Sequence, residues 1–216
     1  GPQRPAPLRN ESSPIMFEFD FDVLSALGLT PELANRAAGI ATCNDERLRL
    51  MRVVEVNRES VQLHDGEREQ RARVLPRLMR ALADDATALA VGDWVLASSG
   101  NGNETWVAHR VPPSSHIVRR DGDGRRHPVV SNVDTALLVM GLDDDFNPRR
   151  LERYLALVHD ASVVPVIVLT KRDVAAPTPA LLEPRLAALH GRVPPQVDVV
   201  SVNATAGATA DVLAPY

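Results

Sequence analysis

The spacing of hydrophobic positions changes part-way along this chain, and the change separates two kinds of structure. In the first stretch the apolar runs are short and broken by turn-forming residues. Leu48 to Asn57 reads as a long strand, and Asn57-Arg-Glu-Ser60 turns it into a second strand, Val61 to His64. His64-Asp65-Gly66 supplies another turn, and Ala72 to Leu75 a third strand. Arg77 to Ala83 has the spacing of one or two helical turns. Gly92 to Ala97 and Thr105 to Val111 complete the set, joined by the tip Ser99-Gly-Asn-Gly-Asn103. Five short strands with a helix between the third and fourth predict a small closed barrel of the OB type.

After Pro112-Pro113 the period lengthens. Val133 to Met140 is a nearly continuous apolar strand, the pattern of a parallel sheet covered on both faces. Asn147 and Pro148 are the cap and first residue of a helix whose stripe is Leu151, Tyr154, Leu155 and Val158. Val163 to Leu169 predicts a second buried strand, Ala180 to His190 a second helix ended by Gly191, and Val197 to Val200 a third strand. Strand, helix, strand, helix, strand is the repeat of a doubly wound α/β sheet, and at Tyr216 that sheet is about half built. The fold expected is therefore an all-β OB-type barrel followed by a partial α/β domain. The expected organisation is a disordered leader or tag remnant over 1–15, a helical extension over 16–47, the barrel over 48–113, a linker over 114–132 and the α/β half-domain over 133–216. Within the extension, Thr30 caps a helix with Pro31 in its first turn and Gly39 at its end. Gly1-Pro2 has the form of a protease scar, with Met16 as the natural start.

Composition narrows the function classes only modestly. Net charge is −4, which excludes a chain coated in positive charge but leaves room for a local basic surface. One cysteine, Cys43, excludes an internal disulfide and a multi-cysteine zinc site within these residues, and nothing around it suggests redox or catalytic work. No apolar run approaches the ~18 residues that span a bilayer, so no membrane partner is expected.

Charge type is more informative. Of 24 basic residues, 23 are arginine, and the one lysine is Lys171 in Thr170-Lys171-Arg172-Asp173, directly after a buried strand. A lysine kept against that bias suits a place where a slim ammonium on an aliphatic stem fits and a planar guanidinium does not. A buried strand running into x-Lys-x-Asp is how GTP-binding domains present guanine recognition: the carboxylate accepts from the ring N–H and amine, and the lysine stem covers the ring. The competing reading is a solvated loop in which Asp173 caps a helix. Ligands of such sheets sit at the carboxyl ends of the strands, which adds Ser201-Val202-Asn203 as a second loop. That loop would give a backbone N–H to the base carbonyl, or else be a plain turn into a helix. No G-x-x-x-x-G-K-[ST] occurs in these residues.

The order of these features resembles the ribosome small subunit-dependent GTPase A family. The residues that carry the resemblance are Gly92-Asp-Trp-Val95, Ser131-Asn-Val-Asp134, Phe146 to Leu157 and Val166 to Asp173. The resemblance implies a circularly permuted GTPase of late small-subunit maturation, cytoplasmic and monomeric. It further implies rRNA contact through the barrel, GTP or GDP with Mg, and zinc in a C-terminal domain. Thr170, Lys171, Arg172, Asp173, Ser201, Val202 and Asn203 would then bind guanine nucleotide. Thr170 departs from the usual Asn, Ser201-Val-Asn from Ser-Ala-Lys, and the phosphate loop, switches and zinc module are absent from these residues, so this stretch by itself is expected to hydrolyse no GTP.

Two arginine clusters are the expected RNA contacts: Arg71, Arg73, Arg77 and Arg80, and Arg119, Arg120, Arg125 and Arg126 around Asp121-Gly-Asp-Gly124. Trp94 and Trp106 read as barrel core. Two alternatives stand beside the GTPase. One is a non-enzymatic RNA- or ribosome-binding adaptor; the other is an α/β enzyme with a metal held by Asp134, Asp143, Asp144 and Asp145.

Overall fold

A computed structural model describes residues 19–41, 48–100, 104–175, 179–189 and 191–216. Cys43, the expected leader and the Asn101 to Asn103 tip lie outside them. The chain forms two compact units, one running to Asp85 and resuming over Asp93–Pro112, the other comprising Ala86–Gly92 and Pro113–Tyr216.

In the first unit, α1 (Phe21–Ser25) and α2 (Pro31–Ala41) precede β1 (Arg49–Val56), β2 (Val61–His64) and β3 (Glu69–Val74). Then come α3 (Pro76–Asp84), β4 (Trp94–Ser99) and β5 (Thr105–Arg110). The strands close in the order β1-β2-β3-β5-β4, with β3 parallel to β5 and the other pairs antiparallel. β1 serves both β2 and β4, which its irregularity between Val53 and Glu55 allows by bending the strand. The barrel has the predicted topology. Thr30 Oγ1 accepts the Leu33 N–H as expected of a cap, but α2 continues past Gly39 to Ala41.

The face of β1 and β4 that carries Leu50, Trp94 and Leu96 meets the two helices in one core with Leu24, Leu29, Leu33, Ala37 and Val111, while Val107 points to the opposite, barrel-interior face. Each buried leucine there contributes about 1.5–3 kcal/mol of transfer free energy. Trp94 is wholly buried, with the Arg52 guanidinium 5.8 Å from its ring centroid. Trp106 departs from expectation: it is only half-buried, and Arg73 lies across it at 6.0 Å. It faces outward because Val107, the next residue of β5, takes the inward position at 0% exposure. One ion pair is sealed inside this unit. Arg110 donates to Asp93 Oδ1 at 2.9 Å, with the two side chains 10% and 0% exposed.

In the second unit, residues 114–132, expected as a linker, form a hairpin of β6 (His116–Arg120) and β7 (Arg126–Ser131). Asp121 closes its turn by accepting N–H bonds from Asp123 and Arg125 and pairing with His127 at 2.8 Å. There follow β8 (Thr135–Gly141), α4 (Pro148–Asp160), β9 (Val164–Thr170), α5 (Arg172–Ala175), α6 (Pro179–Leu189), β10 (Asp198–Ser201) and α7 (Ala208–Leu213). Asn147 caps α4 through the Arg150 N–H at 3.0 Å, with Pro148 next, as the sequence predicts.

β8, β9 and β10 make a parallel sheet in the order β10-β9-β8. Met140, Ile167 and Leu169 pack on one face against Leu151 and Leu155 of α4 and Leu182, Leu186 and Leu189 of α6. On the other face Val166, Val168 and Val202 meet Leu213 of α7. Double coverage fails at β8, where Leu137 and Val139 are 44% and 63% exposed. The six residues of α7 reach the β9 and β10 side of that face and leave β8 bare.

Candidate functional site

The carboxyl ends of β8, β9 and β10 lie next to one another because the three strands are parallel and in register. Met140 pairs with Leu169, and Leu169 with Ser201. Three loops therefore emerge together: 142–147 after β8, 171–173 after β9 and 202–207 after β10. Direct hydrogen bonds stitch them. The Leu142 N–H donates to the Thr170 carbonyl at 2.9 Å, and the Val202 N–H to the Leu169 carbonyl at 2.8 Å.

Thr170 ends β9 with its hydroxyl turned to the Met140 carbonyl at 3.5 Å, so this side chain braces the neighbouring strand. Lys171 follows with φ +58°, a left-handed backbone that a residue with a Cβ adopts only at some cost. Its side chain is half-exposed and its Nζ donates to Asp143 Oδ2 at 2.6 Å. Arg172 and Asp173 are exposed in the first turn of α5. Asp173 lies inside that turn, not before it, so it is not the helix cap of the competing reading. Neither Lys171 nor Asp173 is packed into the core.

The second loop is held by its own hydrogen bonds. Val202 is buried and spends its N–H on the sheet, so it has none left for a ligand. Asn203 shapes the turn: its Oδ1 accepts from the Thr205 N–H and hydroxyl at 3.4 and 2.9 Å, and its carbonyl accepts from the Thr209 hydroxyl at 2.6 Å.

Asp143, Asp144 and Asp145 each face a different cation. Lys171 takes Asp143, Arg185 of α6 lies 3.9 Å from Asp144, and Arg150 of α4 holds Asp145 by two bonds of 2.9 and 3.1 Å. Asp134 stands at the opposite end of β8, about 20 Å of strand away. This separation dismantles the four-aspartate metal cluster, and among the described residues no group of three or more His, Cys, Asp or Glu could hold a metal ion. The hydrogen bond from Lys171 holds the Asp143 carboxyl below its ordinary value, and the same bond raises the Lys171 ammonium. A depressed carboxylate loses its charge only as pH falls below its ordinary range, and a raised ammonium only above its own. The pair therefore stays charged through neutral pH.

The two arginine clusters lie one in each unit and are exposed throughout. Arg71 donates to Ser60 Oγ at 2.9 Å, and together with Arg73 lines a cleft of about 570 Å³ that Glu59, Glu104 and Thr105 share. Arg77 sits in the first turn of α3 near His109, whose imidazole is pushed below its ordinary value by burial and by the Arg77 charge. Arg120 faces Arg126 across the hairpin, and Arg119 faces His127.

A family model described as RsgA GTPase matches residues 111–216, which hold this whole sheet and its loops. The chain belongs to the RsgA GTPase family. Among its relatives are proteins named small ribosomal subunit biogenesis GTPase RsgA. The one from Xanthomonas oryzae pv. oryzae (strain MAFF 311018) is 34% identical over 168 residues, covering 76% of this chain and 44% of that protein. The Leptospira interrogans protein of serovar copenhageni is 38% identical over 96 residues, or 43% of this chain and 27% of the relative. The chain thus spans less than half the length of these RsgA proteins. The same fold occurs in YloQ, a circularly permuted GTPase, with a TM-score of 0.54 at 19% identity over 78% of this chain and 56% of that one. YjeQ from Thermotoga maritima matches with a TM-score of 0.55, the same identity and the same coverage.

Proposed function

We propose that the second unit is the guanine-recognition half of a circularly permuted GTPase that works, in its complete form, on the small ribosomal subunit in the cytoplasm. The observation that carries this reading is the convergence of Lys171 and Asp173 with the 202–207 loop at the carboxyl ends of neighbouring parallel strands. Asp173 accepts from the ring N–H and amine of guanine, and the aliphatic stem of Lys171 covers the base. Thr170 braces β8 and contributes no contact to the base, because its hydroxyl is aimed at the Met140 carbonyl. The base carbonyl is met by the N–H of Asn203, since that of Val202 is engaged in the sheet.

Phosphoryl transfer needs a phosphate cradle and a magnesium site. Among the described residues no group of three or more His, Cys, Asp or Glu is placed to hold a metal ion, and no step here runs through a metal. These 216 residues are expected to release no phosphate from GTP above a buffer blank in a malachite-green assay.

The barrel and the hairpin serve as RNA contacts, through Arg71, Arg73, Arg77 and Arg80 on the one and Arg119, Arg120, Arg125 and Arg126 on the other. In this reading the partners are rRNA of the small subunit and guanine nucleotide, and the protein acts as a monomer.

The base-reading claim is tested by Asp173→Asn. An amide can donate to the carbonyl that xanthine carries where guanine has its amine. GDP binding, followed by NMR titration of the chain, is expected to weaken about tenfold, the loss of one charged hydrogen bond. Xanthosine diphosphate binding is expected to strengthen. Equal binding of GDP and ADP by the unaltered chain would refute base reading altogether.

A further inference from the structure

Lys171 and Asp143 are 28 residues apart in sequence, yet their side chains meet at 2.6 Å. No feature of the guanine-reading loop itself requires a carboxylate from the β8 loop. We propose that Asp143 is a positioning residue for guanine recognition: it holds the Lys171 side chain in the pose that covers the base. The proposal rests on the guanine reading above and adds to it a residue from outside both base-reading loops.

The argument begins with the lysine stem. Four rotatable bonds make a free lysine one of the most mobile side chains, and freezing it on binding is a direct loss of affinity. A stem already fixed at its far end avoids most of that loss, which is the general benefit of preorganisation. An anchor serves this purpose only if it is itself held, and Asp143 is. Its Oδ1 accepts the Asp145 N–H at 3.3 Å and its carbonyl accepts the Phe146 N–H at 3.1 Å. Arg150 fixes Asp145 by two side-chain bonds, Arg185 donates to the Leu142 carbonyl, and Asn147 caps α4. The loop is tied to two helices of the unit, α4 and α6.

Gly141 completes the arrangement. A Cβ at that position would overlap Asp143 Oδ1 and approach the Lys171 Cδ to 3.5 Å. The last residue of β8 is therefore a glycine where any side chain would compete for the space of the pair. Lys171 also accepts a left-handed backbone at the junction of β9 and α5, a conformation that the pair and the adjoining sheet bonds together sustain.

Because Lys171 is the only lysine, ¹³C-lysine labelling gives a single side-chain signal that reports this site. The chain is titrated with GDP and with ADP, unaltered and as Asp143→Asn, Lys171→Ala, Asp173→Asn and the double variant Asp143→Asn/Lys171→Ala. In the unaltered chain, GDP and not ADP is expected to shift the Lys171 methylene signals by the ring current of the base. Asp143→Asn is expected to weaken GDP binding about fivefold and to diminish that shift, with the melting temperature unchanged. The double variant is expected to bind no more weakly than Lys171→Ala, since the aspartate acts through the lysine.

Two results would overturn the assignment with base reading intact. Unchanged GDP binding in Asp143→Asn, while Lys171→Ala and Asp173→Asn both weaken it, makes the pair a bystander. Tighter binding in Asp143→Asn makes the pair a latch that closes the site. If Lys171→Ala and Asp173→Asn leave GDP binding unaltered, base reading fails first and the positioning role falls with it.

Discussion

Asp93→Ala is expected to lower the stability of the barrel unit by about 3–5 kcal/mol, because it strands the Arg110 guanidinium without its carboxylate inside the fold. The cost arises from burial and not from the strength of the pair. Asp93 is fully enclosed and Arg110 nearly so, and a guanidinium deprived of its carboxylate there has little access to solvent. Against the ~5–15 kcal/mol that separates typical folded and unfolded domains, that is about a fifth of the total or more. The melting midpoint is expected to fall on the order of 15–25 °C by circular dichroism. The double replacement Asp93→Leu/Arg110→Met removes both charges and is expected to recover most of the loss, since well-packed apolar residues often equal a buried ion pair. A double variant as unstable as Asp93→Ala would show that backbone geometry around Asp93, whose carbonyl accepts the Val53 N–H at 2.8 Å, sets the cost instead.

The sequence made some parts of this molecule readable and hid others, for identifiable reasons. Barrel strands were readable because Asn57 to Ser60 and His64 to Gly66 break the apolar runs at sharp turns, and Gly66 takes φ +99° as such a turn requires. Asn147-Pro148 fixed the start of α4 by local chemistry alone. The position of Thr170 to Asp173 at a strand end was legible because it immediately follows a run of buried valine, isoleucine and leucine.

The hairpin was hidden. Arg119 and Arg120 occupy both faces at the end of β6, and Arg126 opens β7 directly after Arg125 of the turn, which erases the alternation that marks a strand. Asp121-Gly-Asp-Gly124 was the available signal, a turn sequence with charged residues on either side. Trp106 was misjudged because a large aromatic beside a valine looks like core, and only the register of β5 shows which of the two points inward. The Lys171–Asp143 pair had no signal at all. Contacts between loops of adjacent parallel strands depend on strand order, which residue spacing does not encode.

Strand order also shapes the face proposed above for RNA. Arg73 pairs with Trp106 across the parallel β3–β5 ladder, so the guanidinium and the indole that it crosses form one flat, charged face. Arg71 sits two residues earlier on the same side of β3, and Arg77 and Arg80 continue the charge along α3. A single strand of RNA laid there meets phosphate-binding charge and a stacking plane together. Replacing Arg71, Arg73, Arg77 and Arg80 by Ser is expected to weaken binding to a single-stranded RNA by a factor on the order of 10²–10³ at ~0.1 M salt. The dependence of log affinity on log salt is expected to flatten by about 0.7 for each phosphate left without its arginine, or roughly 3 for the whole set. Trp106→Ala separates stacking from charge, with an expected loss of about 1–3 kcal/mol and an unchanged salt slope. Fluorescence anisotropy over a salt series measures both quantities. A quadruple variant that keeps its affinity and its slope would remove this face from any role in RNA binding and leave the hairpin arginines as the surface to test.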